Sequence, residues 1–363
     1  MANFELSAFA LKTIAPNNDL LMDDKGMPSV MVYVPKFRLK DVLSTDSDTI
    51  HPAFRVNGTE RDGFWIGKFQ SKSINGRPYA MPGEDPANSA SLDTFVAQAR
   101  AKGEGWHEVT AAEWAALALW CHKNGCEPKG NNNYGRDASE STYKAIPANY
   151  ESDGRTARVL TGTGPITWSH DGTLGGIWDL NGNVWEWCSG LRLVNGEVQI
   201  IEDNNACDPA TDLSATSPAW KAIDAATGEL VTPNGSGTTS GTVKLDYVAS
   251  KWKYATAITS QADESRSCQF KDITCASGVG DEAKLLLQAL AFLPDTELEG
   301  DGIDANYGGD GFWANNAQAE RCLFRGGAWS YGSGAGVFLS ALAVPRSAVR
   351  TSLGGRVAFI ENP

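Results

Sequence analysis

The chain has 363 residues, of which 42% are hydrophobic and 21% are charged, a balance typical of a folded protein with a sizeable core. Its net charge of -13 argues against a nucleic-acid-binding surface, because neutralising phosphates requires clustered Lys and Arg. The 38 glycines, 16 prolines and 12 tryptophans predict many turns, short elements and large aromatic anchors.

The first residues show neither the basic segment nor the apolar run of a standard signal peptide, and nowhere do about eighteen apolar residues follow one another. We therefore expect a protein that is not exported by that route and not inserted in a membrane. The seven cysteines form no CxxC pair, which favours free thiols. Cys121 with Cys126, or Cys268 with Cys275, is close enough in sequence to bridge in an oxidising compartment.

Two strands open the chain. Alternating valines within residues 28–37 predict a strand that ends at Pro35, and a similar alternation predicts a second strand in residues 63–70. We assign residues 1–60 to a small N-terminal β-rich region and residues 61–363 to the main domain.

Two helices follow with readable ends. Ser91 is a candidate N-cap for the first, which Gly103 ends. Thr110 and Glu113 predict a capping box for the second, which Gly125 ends.

Residues 190–320 are polar and irregular, and we interpret them as a long insertion. Within it, the segment 281–293 is apolar nearly all round, which predicts a helix packed on both sides. The acidic stretches 202–212 and 301–311 each contain several side chains with oxygen atoms that could bind a calcium ion. Neither follows the EF-hand order, so solvated loops are favoured over calcium sites.

Several motifs recur in one order: GFWIGKFQ at 63–70, GWHEVTAAEWAALALW at 105–120, GGIWDLNGNVWEWC at 175–188, FRGGAW at 324–329 and GGRVAF at 354–359. Together they resemble the formylglycine-generating-enzyme and sulfatase-modifying-factor superfamily. The resemblance covers about residues 60–190 and 320–360. It implies an α+β, loop-rich, C-type lectin-like fold of the formylglycine-generating-enzyme type. Within the third motif, Asn181-Gly182 is compatible with a type I′ turn that precedes a strand.

The aromatic residues of these motifs are expected to form the core rather than a platform for sugars, because most large aromatic side chains are buried. The residues concerned are Trp114, Trp120, Trp178, Trp185 and Trp187.

The groups that carry the superfamily's known chemistry are not matched. Formylglycine generation depends there on a cysteine pair near the C-terminus, and no cysteine follows Cys322. The related iron-dependent sulfoxide synthases need a cluster of three histidines. The histidines of this chain are scattered: His51, His107, His122 and His170. We therefore expect no enzyme activity, no cofactor and no metal. The alternative is a sulfatase-modifying-factor-like enzyme with non-standard chemistry at Cys188 or Cys322.

The last part of the chain, residues 325–359 and here called the tail, has an unusual composition. It is similar to the tails of a superfamily branch that serves diversity-generating retroelements, in which the segment after an RGG.W motif is rewritten by adenine-directed mutagenesis. An AAC or AAT codon randomised in its first two bases can encode Ala, Ser, Tyr, Gly, Leu, Val and Arg, but never Lys, Glu, Gln, Met or Trp. The tail lacks the first four of these excluded types, and its only tryptophan is Trp329 of the motif.

The resemblance divides the tail into two sets. The residues that match the fixed scaffold are Arg325, Gly326, Gly327, Trp329, Gly336, Val337, Phe338, Leu342, Pro345, Arg346 and Arg356. The residues that fall where the family varies, and that we expect to be displayed for ligand binding, are Ala328, Ser330, Tyr331, Gly334, Leu339, Ser340, Ala341, Ala343, Val344, Ala348, Val349, Arg350 and Ser352. The alternative is a packed, irregular core segment in which small residues let backbones approach closely.

The resemblance thus predicts a ligand- or receptor-binding protein with a diversified C-terminal surface, such as a phage tropism determinant or a surface-display protein. Tyr331 and Arg350 are the hot-spot candidates. The expected partner is a cell-surface protein or glycan, with phage particle proteins or a second copy of the chain as further candidates. We expect a place in a phage tail or, if the protein is host-encoded, in the cytoplasm or on the cell surface by a non-standard route.

Overall fold

The computed structural model describes residues 4–295, 307 and 309–361, which form a mixed α/β structure with much sheet and few helices. The helices are α1 (Glu5–Ile14), α2 (Leu39–Val42), α3 (Leu92–Arg100), α4 (Ala111–Lys123) and α5 (Asp281–Ala289). Within the described ranges, none of them combines the length and the hydrophobicity needed to cross a bilayer.

Both predicted N-caps are confirmed. Ser91 Oγ accepts the backbone N–H of Thr94 at 3.2 Å at the start of α3. Thr110 Oγ1 accepts the N–H of Glu113 at 3.1 Å, and the carboxylate of Glu113 accepts the N–H of Thr110 at 3.0 Å. This reciprocal capping box begins α4, which is buried on nearly all sides. Helix α5 ends at Ala289, four residues earlier than predicted, and only part of its surface is buried.

The strands are short and numerous. Those up to residue 194 are β1 (Asn18–Met22), β2 (Pro28–Pro35), β3 (Arg55–Val56), β4 (Thr59–Glu60), β5 (Gly63–Gly67), β6 (Ser71–Ile74), β7 (Arg77–Ala80), β8 (Trp106–Glu108) and β9 (Trp185–Val194). Those after it are β10 (Glu197–Ile201), β11 (Trp220–Ile223), β12 (Leu230–Val231), β13 (Lys244–Val248), β14 (Lys251–Ala255), β15 (Arg266–Gln269), β16 (Thr274–Cys275), β17 (Gly311–Ala314), β18 (Arg321–Arg325), β19 (Ser340–Val344), β20 (Leu353–Gly354) and β21 (Val357–Phe359).

The first sheet, in the order β1-β2-β5-β21-β8, is antiparallel throughout and combines strands from both ends of the chain. Strand β2 pairs with β5, so the boundary predicted at residue 60 runs through a sheet that both sides share. The N-terminal region also begins with α1, which was not predicted. Its N-cap position holds Phe4, which makes no side-chain cap, so the sequence carries no start signal there.

In the described ranges the second sheet has twelve strands, most of them from residues 190–320. Its main path runs β15-β17-β19-β18-β9-β10-β13-β14-β16. The interpretation of this region as irregular was therefore wrong. Most of its strands have five residues or fewer, too few for hydrophobic alternation to stand out from the turns between them. Their buried side chains join the core of the rest of the chain, for example Val198, Leu245 and Tyr254.

The turn before β9 differs from the predicted one. The left-handed residues are Gly182 and Asn183, with φ of 78° and 64°, whereas Asn181 is not among the residues with positive φ. The Asn183 side chain explains the shift. Its amide nitrogen donates to Gln70 Oε1 at 3.1 Å, and its carbonyl oxygen accepts the N–H of Val159 at 2.9 Å. Tertiary hydrogen bonds thus override the local preference of an Asn-Gly pair.

The tail is held to both sheets by one buried ion pair. Arg356 donates through Nε and Nη2 to the two carboxylate oxygens of Glu186, at 2.9 and 2.8 Å. Its remaining donors reach Gly67 O at 2.8 Å and Trp178 O at 2.9 Å, while Gln70 donates to the same carboxylate at 3.0 Å. Because both charges are essentially inaccessible to water, these hydrogen bonds must satisfy them fully.

We expect Arg356→Met to lower the free energy of unfolding by about 3–5 kcal/mol, because it leaves the Glu186 carboxylate buried without its counter-ion. Urea denaturation followed by tryptophan fluorescence measures the loss. The matched control is Arg155→Met, which breaks an exposed ion pair with Asp153. Its denaturation midpoint should hardly move, and equal losses in the two variants would contradict the role given to the buried pair.

Candidate ligand-binding surface

The tail includes two positions at which only glycine fits without strain. Gly327 has a φ of +91°, and a Cβ there would lie 2.7 Å from the Cβ of Ala335. Gly336 has no room for a side chain, because its Cβ would lie 2.1 Å from a carboxylate oxygen of Asp310. That carboxylate accepts the N–H of Phe338 at 2.8 Å, and burial raises its pKa to about 7. The path of the tail is therefore fixed by close backbone approaches.

Trp329 anchors the middle of the loop that precedes β19. Its indole N–H donates to Glu151 Oε1 at 2.7 Å, and its side chain is only 6% exposed. The backbone is held as well, since its N–H donates to Asn183 O at 3.2 Å and its carbonyl accepts from Tyr134 at 2.7 Å. A loop fixed at side chain and backbone can present its neighbours in defined positions.

Arg325 is a second buried cation of the tail, and it donates hydrogen bonds to two backbone carbonyls and a hydroxyl. Its guanidinium donates to Leu290 O at 2.8 Å, Ala291 O at 3.2 Å and Ser340 Oγ at 2.7 Å. Burial lowers its pKa to about 10. The residues expected to form the fixed scaffold are buried, apart from the exposed Pro345 and the half-buried Arg346.

Arg346 belongs to a network of ion pairs. It donates from Nε and Nη2 to both carboxylate oxygens of Glu320, at 2.6 and 2.8 Å, and from Nη1 to Asp93 at 2.8 Å. Arg192 donates to the same Glu320 carboxylate at 2.8 Å. The network ties the loop that follows β19 to β9, to α3 and to the residue directly before β18.

Five of the positions expected to be displayed are buried instead. They are Ala328, Leu339, Ser340, Ala341 and Val344. Four of them belong to β19 or directly precede it, and β19 is an interior strand with β17 on one side and β18 on the other. The sequence does not reveal this covering, because β17 comes from the insertion and its parallel pairing with β19 is non-local.

The other positions of that set remain at least partly exposed. They are Ser330, Tyr331, Gly334, Ala343, Ala348, Val349, Arg350 and Ser352. Except for Ala343, they lie in the two loops that flank β19. Val349 is 57% exposed, and the Arg350 side chain is also exposed.

Two tryptophans from outside the tail extend this surface. The ring of Tyr331 lies 5.1 Å from that of Trp185 and 6.3 Å from that of Trp313, both in edge-to-face arrangements. Both tryptophans are half-buried and pack with Ala348 against one buried cluster. The backbone N–H of Trp185 also donates to Ser352 O at 2.8 Å. We call the eight exposed positions together with Trp185 and Trp313 the tail surface.

Sequence reasoning placed Trp185 in the core and did not single out Trp313. Trp114, Trp178 and Trp187 are buried as predicted, whereas Trp185 and Trp120 keep part of their surface exposed. The sequence did not indicate that Trp313 would pair with Ala341 on the neighbouring strand. Because Ala341 is small, it leaves the Trp313 ring uncovered.

Tyr331 is a partly buried member of the tail surface. Its hydroxyl is buried and has no hydrogen-bond partner among the described residues. Burial, with a smaller contribution from Asp310, raises the pKa of this phenol. The ring of Tyr331, and not its buried hydroxyl, is therefore the part that a ligand can contact.

The candidate catalytic groups are buried, and Cys322 belongs to the cluster on which Trp185 and Trp313 pack. All seven thiols are free, so neither Cys121 with Cys126 nor Cys268 with Cys275 is bridged. Cys188 and Cys322 are buried, and burial raises their pKa values. The four histidines are each buried, and the described residues contain no group of three or more His, Cys, Asp or Glu arranged to hold a metal. Most of the acidic stretch 301–311 lies outside the described residues.

The chain matches no protein-family model, and no curated protein is detectably similar to it in sequence. Among solved structures it is similar to Treponema denticola variable protein 1, with 11% identity, a TM-score of 0.35, and coverage of 95% of this chain and 99% of that one. It is similar to PvdO from Pseudomonas aeruginosa, with 13% identity, a TM-score of 0.30, and coverage of 94% and 97%. It is also similar to the P3c variant of the Major Tropism Determinant, with 12% identity, a TM-score of 0.31, and coverage of 94% and 71%. Identities this low say nothing about the residues of the site.

The burial of Ser340 can be tested against an exposed serine of the same tail. We expect Ser340→Ala to lower the free energy of unfolding by about 1–3 kcal/mol, because it takes a hydrogen-bond acceptor from the buried Arg325. Ser330→Ala should change it by less than about 0.5 kcal/mol. Chemical denaturation of the two variants decides the point, and equal stabilities would mean that Ser340 is displayed.

Proposed function

We propose that this protein binds a ligand through the tail surface and that a retroelement diversifies the exposed positions of that surface. The observation that carries the proposal is the match between composition and position. The tail contains residue types that a mutated Asn codon can encode. The glycines, arginines and tryptophan assigned to the fixed scaffold are mostly buried and hold the backbone of the tail in place. The fold that we propose with it is C-type lectin-like, of the formylglycine-generating-enzyme type.

Physical reasoning favours a surface in which some residues fix the backbone and others vary. The side chains of Ser330, Val349 and Arg350 in the loops on either side of β19 are exposed, so replacing them costs little stability. The loops themselves cannot drift, since Trp329 fixes the first and Arg346 fixes the second. A rigid frame with replaceable side chains presents new surfaces without refolding, as antibody loops do.

The chemistry of the tail surface suits a protein or glycan partner. Tyr331, Trp185 and Trp313 supply aromatic area, and Arg350 supplies an exposed fork of donors. The remaining exposed positions of the tail surface carry small side chains in this protein, and the edges of the aromatic rings therefore stay accessible. We infer that the protein is a binding protein rather than an enzyme, that its ligand is a cell-surface protein or glycan, and that it resides in a phage tail.

The direct test is the DNA around the gene. We expect a near-copy of the last hundred or so bases that differs only where the copy has adenines, next to a reverse-transcriptase gene. Aligning the two repeats identifies each diversified codon. A locus without such a copy, together with relatives that keep Tyr331 and Arg350 unchanged, would remove the basis of the proposal.

A protein-level test uses two libraries with N-N-C codons. One randomises the eight exposed tail positions, and the other randomises the five buried ones. We expect most members of the first library to fold and to yield binders when panned against two unrelated purified proteins. The second library should fold rarely, because its members create cavities or overpack the core. Similar folding in both libraries, or no binders from the first, would contradict a displayed tail surface.

A further inference from the structure

We propose that Glu108 makes the attachment of the end of the tail sensitive to pH: its protonated carboxyl keeps β8 and β21 packed together, and its ionisation loosens them. Glu108 lies on β8, directly opposite Val357 of β21, and Val357 follows Arg356 in the chain. The inference is independent of the proposed function, since it holds whether or not the tail binds a ligand or is diversified.

The carboxyl group of Glu108 is buried without a hydrogen-bond partner. The residue is 1% exposed, and neither of its carboxylate oxygens meets a donor among the residues that the structure describes. Other buried glutamates nearby differ in this respect. Glu113 accepts a hydrogen bond from the side chain of Asn204 at 3.0 Å, and Glu186 is paired with Arg356. Glu108 is therefore the carboxyl of this region that can least afford a charge.

The geometry of the sheet explains why Glu108 finds no partner. Side chains alternate along a strand, so Glu108 lies on the same face of β8 as Trp106, and Val357 shares that face from the neighbouring strand. Trp106 and Val357 belong to one buried apolar cluster with Ala99 of α3. A face of this kind holds a neutral carboxyl far more readily than an ionised one.

The charged groups around Glu108 do not compensate for the missing donors. Strand β8 packs against α3, β9, β21 and the turn Asn205–Cys207. The titratable groups on these elements near Glu108 are Asp93 and Arg100 of α3, Glu186 and Cys188 of β9, Cys207 of the turn and Arg356 beside β21.

The two cations among these groups are already engaged. Arg100 donates from Nη2 to three backbone carbonyls of residues 206–211, at 3.0 to 3.3 Å, and Arg356 is bound to Glu186. Burial raises the pKa values of both thiols, which keeps them neutral. His107, on β8 itself, contacts Glu113 on the opposite face. An ionised Glu108 would add a further negative charge beside Asp93 and Glu186.

The direction of the pH effect follows from these contacts. Burial raises the pKa of the Glu108 carboxyl well above its ordinary value of 4.5, and the opposing effect of Arg100 is smaller. The folded protein therefore keeps a proton that the unfolded chain loses above about pH 4.5. The stability that this group contributes is fully present below that pH and falls as the pH rises toward the folded pKa. Over that range, each pH unit raises the equilibrium constant for unfolding by about tenfold.

The end of the tail is the part that this loss affects first. Strand β8 lies at the edge of the first sheet within the described residues, so it can separate from β21 without unfolding the rest of the sheet. The backbone N–H of Val109 donates to Arg356 O at 2.9 Å, and water that reaches Glu108 would break this bond. The backbone beside the buried ion pair would then lose one of its fixed contacts.

Urea denaturation at pH 5, 6 and 7 tests the proposal with Glu108→Gln, which keeps the shape of the side chain and cannot ionise. We expect the equilibrium constant for unfolding of the wild type to rise, relative to that of the variant, by about tenfold per pH unit. Other buried groups, such as His51 and Asp310, titrate in both proteins and cancel in this ratio. The matched control is Glu104→Gln, an exposed glutamate just before β8, whose pH profile should follow that of the wild type.

The pH dependence decides the question, and not the absolute stability, so a variant that is less stable throughout is still informative. Glu108→Met should show the same pH profile as Glu108→Gln, because both remove the ionisation and they share no polar group. Parallel profiles of the wild type and these two variants would overturn the proposal.

Hydrogen exchange measured by mass spectrometry tests where the opening occurs. In the wild type we expect peptides that cover residues 353–360 to lose protection several-fold between pH 6 and pH 8, after correction for the pH dependence of exchange itself. Peptides from α4 should keep their protection, and Glu108→Gln should keep it in both regions. An equal loss in the variant, or a loss in α4 at the same pH, would contradict a local opening at the end of the tail.

Discussion

The structure depends on the ion pair between Arg356 and Glu186, because it fixes the end of the tail at the point where the two sheets meet. Glu186 lies on β9, the strand beside β18, and Arg356 directly precedes β21, which lies between β5 and β8. Two charges without access to water tolerate little change in position. The tail is therefore fixed at both ends, by Arg325 at its start and by Arg356 near its end.

The parts of the fold that could be predicted are those whose signals are local. The N-caps Ser91 and Thr110 act within one helical turn, so the starts of α3 and α4 could be read directly from the sequence. The valines of β2 showed their alternation for the same reason. Helix α1 has no cap and exposes its apolar residues, and it therefore gave no such signal.

The parts that could not be predicted depend on non-local pairing. Strand β17 precedes β19 by more than twenty residues and lies parallel to it, and no local pattern indicates that it would cover Ala341 or place Trp313 beside Tyr331. The motifs did indicate residues that are buried in the structure, such as Arg325, Gly327 and Arg356, because buried arginines and sterically constrained glycines have few alternatives at such positions. They did not separate exposed from buried positions within the tail, since Ala and Ser suit both environments.

The hydrogen bond between Ser340 and Arg325 has a consequence for the size of any repertoire built on this scaffold. A rewritten codon at 340 seldom supplies a small hydroxyl, and most alternatives leave a buried guanidinium short of an acceptor. Folding would then act as a filter before any ligand is met, and the number of usable tails would be far smaller than the number that the codons specify. Positions in the loops, such as Val349 and Arg350, escape this filter and would contribute most of the functional diversity.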